Sequence, residues 1–221
     1  MIIAIDGPAG SGKSTIARNV AKTLGYVYLD TGAMYRALTW KTIKHNIDVS
    51  NIKTLAELAA TTEISFKIEN GEERVFIDRQ DVTNAIRAPE VTGLVSIVSK
   101  IGEVRKAMVD KQRRFSRGKN LVAEGRDIGT VVFPNADLKI YLNASLQERA
   151  HRRQLQLSQK GHSVSVEELK MDIKKRDHID STRDEGPLLK AGDAAEIDNS
   201  DKTVRQVTEE VIKLVRGKTT A

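Results

Sequence analysis

The stretch Met1-Ile-Ile-Ala-Ile-Asp-Gly-Pro-Ala-Gly-Ser-Gly-Lys-Ser14 decides how this chain folds. Met1 to Asp6 is a short, nearly continuous apolar run ending in an acid, the pattern of a strand buried on both faces of a parallel sheet. A glycine-rich turn follows, Gly7 to Gly12. Beyond it Ile16, Ala17, Val20, Ala21 and Leu24 recur at helical spacing, and Gly25 stands where a helix ends. Strand, glycine turn and helix are thus written in the first 25 residues.

Within that unit, Gly7-x-x-x-x-Gly12-Lys13-Ser14 is a phosphate-loop pattern. Glycines let the backbone bend so that several N–H groups face one anion, and the helix adds its positive dipole end. Lys13 supplies a cation for the β- and γ-phosphates, and the Ser14 hydroxyl suits Mg²⁺. The pattern in this context predicts a nucleoside-triphosphate binder, with Gly7, Pro8, Ala9, Gly10, Ser11, Gly12, Lys13, Ser14 and Thr15 around the triphosphate. It does not separate a kinase from other triphosphate users. A GTPase would carry Asn-Lys-x-Asp, which is absent. A mechanical ATPase would close its third strand on two acids, where this chain reads Glu124-Gly125-Arg126-Asp127.

Outward from the loop, Tyr26 to Leu29 reads as a second strand, and Asp30-Thr31-Gly32 opens a helix to about Asn46. This rhythm predicts an α/β domain with a parallel sheet. It breaks near Asn51. Ile64, Phe66 and Ile68 alternate with polar residues, Asn70-Gly71 marks a tight turn, and Val75 and Ile77 resume the alternation. An antiparallel hairpin there is expected to be an insertion at 51–99, with a core domain of 1–50 and 100–221. A helix at about 104–115, strands at 120–124, 138–142 and 194–197, helices at 145–159 and 165–178, and a final helix on Val204, Val207, Val211, Ile212 and Val215 complete the reading.

Composition narrows the function. The 221 residues include 36 Lys and Arg against 30 Asp and Glu, a net charge of +6. Cysteine is absent, which removes disulfides, thiolate metal sites and a thiol nucleophile. The four histidines, His45, His151, His162 and His178, are scattered and expected on the surface. No apolar run approaches the roughly 20 residues of a membrane span, and the first residues lack the basic flank of a secretory signal. Cytoplasm is the expected location and a monomer the expected state. The positive balance calls for an anionic partner. Aromatics are 4% of the chain and no aromatic-interleaved basic stripe exists, which counts against the alternative of an ATP-dependent nucleic-acid binder.

Several arginines fall at predicted strand ends, where open α/β sheets bind ligands. Arg36 follows the second strand and Arg126 the third, while Arg176 and Arg183 flank one helix and its exit. Such a set suits phosphoryl transfer to an acceptor that is itself a phosphate. That acceptor is already an anion and needs no general base, only neutralisation of the charge between two polyanions.

The chain resembles the bacterial cytidylate kinases, a family of nucleoside-monophosphate kinases. The resemblance rests on Asp6-Gly-Pro-Ala-Gly-Ser-Gly-Lys-Ser14, Asp30-Thr-Gly-Ala-Met-Tyr-Arg36, Glu124-Gly-Arg-Asp-Ile-Gly-Thr-Val-Val-Phe-Pro134, Glu148-Arg-Ala-His-Arg-Arg153 and Lys175-Arg-Asp…Asp180…Arg183. It implies a P-loop nucleoside-monophosphate kinase fold: a five-stranded parallel sheet flanked by helices, an inserted lobe with a small antiparallel sheet, and a short lid at about 148–163. It implies transfer of the γ-phosphoryl of ATP, with Mg²⁺, to CMP or dCMP. Arg36, Arg126 and Arg183 would grip the acceptor phosphate, Arg176 would stand near the transferring group, and Asp180 would bond the ribose. Ser96, Arg105 and Asp127 would read the cytosine edge, with Thr31 and Tyr35 in the pocket. Arg149, Arg152 and Arg153 would begin the lid over ATP. At one position the chain departs from the family pattern, carrying Glu124 in place of an aspartate. A kinase of another small phosphorylated metabolite is the nearer alternative.

Overall fold

Five short runs become the strands of a parallel sheet in the computed structural model, which describes residues 1–69, 72–159, 161 and 163–219. They are β1 (Ile2–Asp6), β2 (Val27–Asp30), β6 (Leu121–Gly125), β7 (Leu138–Asn143) and β8 (Ala195–Asp198), in the order β2-β6-β1-β7-β8. The central strands are apolar throughout because both their faces are covered, which is how the sequence signals them. Register places Asp6 beside Gly125 and beside Tyr141, so β1 and β6 leave the sheet together.

The chain divides into two compact units. The first, Met1–Leu29 with Ser116–Ala221, holds the sheet. Helices α1 (Lys13–Leu24) and α8 (Val204–Thr219) cover it. Ile16 and Val20 of α1 and Val207, Val211 and Val215 of α8 share one core with Ile3, Ile5, Val122, Ile140 and Ile197. Helices α6 (Leu146–Ser158) and α7 (Val166–Thr182) pack on each other through Ala150, Leu169 and Ile173. Ser165 and Glu168 form a reciprocal capping box at the start of α7. This helix runs four residues past its expected end at 178, so Asp180 is helical. Of the expected lid at 148–163, residues 160 and 162 lie outside the described residues, and His162 with them. His45, His151 and His178 are exposed.

The second unit is Asp30–Phe115 and contains the whole of the stretch 51–99. Helix α2 (Thr31–Lys44) belongs to it because Ala33 and Ala37 pack with Val75, Ile77, Val82 and Ile86. After α3 (Ile52–Thr61) comes the expected hairpin, β3 (Ile64–Glu69) with β4 (Glu72–Ile77), paired from Ile64 with Ile77 to Glu69 with Glu72. The expected turn residues Asn70 and Gly71 lie outside the described residues. A third strand, β5 (Gln80–Asp81), returns through a two-residue turn whose members Asp78 and Arg79 both have positive φ, 47° and 70°. Helix α4 (Pro89–Ser99) fills a stretch for which the sequence pattern gave no helix, and α5 (Gly102–Ser116) begins two residues before its expected start. Among the described residues no helix is long and apolar enough to cross a membrane.

Asp30 sets the start of α2. Its Oδ1 accepts the Ala33 N–H at 2.7 Å and its Oδ2 pairs with Arg36 at 2.8 Å. Removing a cap of this kind costs about 1–2 kcal/mol. Asp30→Ala is therefore expected to lower the urea midpoint, and an unchanged midpoint would count against the cap.

Candidate active site

The loop between β1 and α1 is shaped by what surrounds it. A Cβ on Gly7 would lie 2.1 Å from the Leu142 carbonyl oxygen, so no side chain fits where the loop crosses β7. Gly12 turns the chain into α1 with φ +88°, and no side chain caps that helix end. The first turn of α1 carries no acid, which keeps the partial positive charge of its N-terminus for an anion.

Lys13 is only 5% exposed. Its Nζ donates to the Pro8 carbonyl at 2.8 Å and to Ser11 Oγ at 3.4 Å. Burial, then the nearby Arg126 charge, pull its pKa down from 10.5 to about 7, against the pull of Glu124, Asp6 and Asp180. The three carboxylates do not offset burial, so a further anion beside the amine would favour its charged form.

Ser14 Oγ donates to Glu124 Oε1, and the Tyr28 hydroxyl donates to the same oxygen at 3.0 Å. Glu124 is buried at the end of β6. A hydroxyl and a carboxylate side by side are hard oxygen donors of the kind Mg²⁺ takes alongside phosphate oxygens. The longer glutamate thus reaches the loop serine. Among the described residues no group of three or more His, Asp or Glu could hold a metal by itself.

At the exit of β6, Arg126 Nε donates to Asp180 Oδ2 at 2.8 Å. Arg183 NH1 lies 3.8 Å from Asp180 Oδ1, and its NH2 lies 3.7 Å from Asp127 Oδ1. Burial pushes the Asp180 carboxyl up, but Arg126 and Arg183 outweigh it and hold its pKa below the ordinary value. Arg176 adds to that pull from one turn earlier on α7. The first unit thus brings Lys13, Ser14, Arg126, Asp127, Arg176, Asp180 and Arg183 into one electrostatic group.

The second unit assembles its own set. Arg105 is 3% exposed, donates to the Ser99 carbonyl at 3.1 Å, and lies over the Tyr35 ring at 5.5 Å. Ser96 and Thr31 are buried. Arg36 keeps a buried Nε without a partner while its NH2 pairs with Asp30. An orphaned guanidinium donor beside a satisfied one is what an incoming phosphate would complete.

A profile of the cytidylate kinase family matches residues 3–217. This chain belongs to that family. It is 51% identical to the cytidylate kinase of Alkaliphilus oremlandii over 97% of each chain. It is 48% identical to that of Halalkalibacterium halodurans, over 98% of this chain and 97% of the other. Among solved structures, a shikimate kinase from Bacteroides thetaiotaomicron superposes with a TM-score of 0.51 at 10% identity, covering 98% of each chain, a likeness of fold alone.

Placed in this cytidylate kinase fold, the expected lid arginines divide. Arg149 is buried and lies beneath the loop. Its Nε donates to the Ala144 carbonyl at 3.0 Å and its NH1 to the Ala9 carbonyl at 3.0 Å and to Asp177. Arg152 is tied to Glu148 and to Asn199. Arg153 has its NH1 3.5 Å from Gln156 Oε1. Three residues that pattern reading passed over hold the loop and its neighbours. Asn199 Nδ2 donates to the Ser11 carbonyl at 2.7 Å. Asp177 accepts the Ala9 N–H at 3.1 Å. Asp6 accepts two N–H groups beyond β6. No local signal marks the first. Asp177 and Asp6 lie inside quoted motifs, where an acid beside a conspicuous basic or glycine run was the available clue.

Proposed function

We propose that this chain transfers the γ-phosphoryl of ATP to CMP or dCMP, giving the nucleoside diphosphate and ADP. The supporting observation is that an anion loop with a buried lysine and a braced strand-exit arginine occur in one unit of a cytidylate kinase chain. Gly7 to Thr15 would hold the triphosphate, with Lys13 on its β- and γ-phosphates. Ser14 with Glu124 would hold Mg²⁺, which supplies charge neutralisation between donor and acceptor phosphates. Arg36, Arg126 and Arg183 would bind the acceptor phosphate, with Arg176 near the transferred group. Asp180 braces Arg126 and Arg183 and has an oxygen's worth of remaining capacity for a ribose hydroxyl. The acceptor phosphate is its own nucleophile, so the protein's task is charge placement rather than proton removal.

Ser96, Arg105 and Asp127 would read the base, beside Thr31 and Tyr35. Cytosine presents an amine donor where uracil presents a carbonyl, so a fixed acceptor such as Asp127 favours the first and repels the second. ADP release is therefore expected with CMP and dCMP and not with UMP, AMP or GMP. Asp127→Asn is expected to lower the CMP:UMP ratio of kcat/KM roughly 10- to 100-fold, because an amide can donate as well as accept. Equal turnover of UMP by the unaltered protein would remove the proposal.

A further inference from the structure

We propose that Asp6 is a positioning residue for acceptor recognition: its carboxylate clasps the turn after β6 and thereby sets where Arg126 and Asp127 stand. The inference rests on the reading of Asp127 and Arg126 given above. Asp6 ends β1 and is 5% exposed. Its Oδ1 accepts the Ile128 N–H and its Oδ2 the Gly129 N–H, both at 2.7 Å. Both carboxylate oxygens are thereby committed to backbone 122 and 123 residues away in sequence.

The backbone there explains why a clasp is needed. Gly125 is still paired in the sheet, opposite Asp6. Ile128–Val132 is a π-helical turn, closed by Val132 N–H on the Asp127 carbonyl at 3.1 Å and by Phe133 N–H on the Ile128 carbonyl at 2.7 Å. Only Arg126 and Asp127 lie between strand and turn. The first amides of a helical turn have no partner within it. Here they are buried, and Asp6 satisfies two of them. Fixing those amides fixes the two-residue link, and with it the directions of the Arg126 and Asp127 side chains. A Cβ on Gly129 would meet Asp6 Oδ2 at an ordinary 3.4 Å and press the Lys139 stem at 3.1 and 3.2 Å, so the turn packs closely against both side chains. Single π turns of this sort recur at functional sites.

Burial lifts the Asp6 pKa from 3.8 to about 6, against the two amides and Lys13, with Asp127 adding to the rise. A buried acid with a backbone donor on each oxygen is built for geometry. A competing role is as a counter-charge to Lys13. The two roles separate by substitution. Asp6→Glu keeps the charge near Lys13 but adds a methylene to the clasp. Asp6→Asn keeps one acceptor and sets an amide N–H against the second backbone N–H.

The test measures kcat/KM for CMP and UMP, and KM for ATP, in the full-length protein and in Asp6→Glu, Asp6→Asn and Asp127→Asn. With the clasp as described, both Asp6 variants lower the CMP:UMP ratio by about tenfold or more and leave KM for ATP within about twofold. A ratio unchanged in Asp6→Glu while it falls in Asp127→Asn overturns the inference and leaves the reading of Asp127 standing. So does a rise confined to KM for ATP in Asp6→Asn. A ratio unchanged in Asp127→Asn removes that reading instead. Amide exchange on the unaltered protein then judges the clasp alone, as it does if the variants fail to fold. Ile128 and Gly129 amides are expected to exchange as slowly as those of β6, and exchange at open-loop rates would overturn the clasp.

Discussion

Lys13→Met is expected to reduce kcat by roughly 10²- to 10³-fold while making the empty protein more stable at pH 6. Both effects come from one fact. The amine is buried among partners that do not balance its charge, so its pKa falls to about 7. Its hydrogen bonds go to neutral oxygens of Pro8 and Ser11. A triphosphate would give it the anion it lacks. Charge that grows on the bridging oxygen during transfer makes that contact stronger in the transition state, which is why kcat falls rather than KM alone. The stability sign follows from proton linkage. The unfolded lysine titrates near 10.5 and the folded one near 7. Between those values the unfolded chain holds more protons, so stability rises with pH; below 7 the full cost of a buried ammonium remains. Methionine keeps the length without the charge. In nucleotide-free, Mg²⁺-free buffer at pH 6 its Tm is expected to rise by about 2–5 °C, and the gain to shrink towards pH 9. Near-normal turnover, or a variant that melts lower at pH 6 than at pH 9 relative to the parent, would contradict the account.

How much of this was legible in the sequence depends on the reach of each interaction. The β1–loop–α1 unit was readable because its signals are local: an apolar run, glycines at fixed offsets, and Ile16, Val20 and Leu24 at helical spacing. The β3–β4 hairpin was readable from its alternation. Helix α4 was not. Its buried face is Val91, Val95 and Val98, with Gly93 between them, and β-branched residues and glycine are poor helix formers. Packing made it a helix, and only Pro89 at its first position announced it. The return to β5 was hidden because its turn uses Asp78-Arg79, without the glycine that marks such turns.

The site was legible as a list of residues but not as a wiring diagram. Arg149 read as a lid cation, since a helix with Arg149, Arg152 and Arg153 looks like a basic face. Its bonds to Ala9 and Ala144 span 140 and five residues, and no spacing rule connects the first pair. Asn199 meets Ser11 across 188 residues. Asp6 looked like the polar end of a strand. Contacts of that kind follow from strand order, because β1, β6, β7 and β8 end at the same edge, and that order is fixed by the whole sheet.

Arg126→Ala is expected to lower kcat for CMP by about 10³-fold, and Arg126→Lys to recover less than about tenfold of it. The guanidinium does two things at once. Its Nε edge holds Asp180 at 2.8 Å, and its NH1 makes only a long contact, 3.5 Å, with the Gly125 carbonyl. The fork therefore keeps donors for an anion while its base is anchored. An ammonium has no such division. A lysine that holds Asp180 cannot also present a planar pair of donors to phosphate. The alanine variant carries a second consequence. Asp180 is 5% exposed, and Arg126 is its largest stabilising charge. Without it the carboxyl pKa rises, because the largest charge opposing burial is gone. Asp180 gives the fold stability that is present above its unfolded pKa and lost as pH falls through the folded one. Raising the folded value removes part of that stability wherever Asp180 is ionised, so Arg126→Ala is expected to melt below the parent at pH 7 and the gap to narrow between pH 7 and pH 3 as the carboxyl is protonated. Steady-state rates with CMP, and Tm across that pH range, check the two parts separately. Activity within tenfold of the parent would remove Arg126 from the phosphate site even if the pH effect on stability appears.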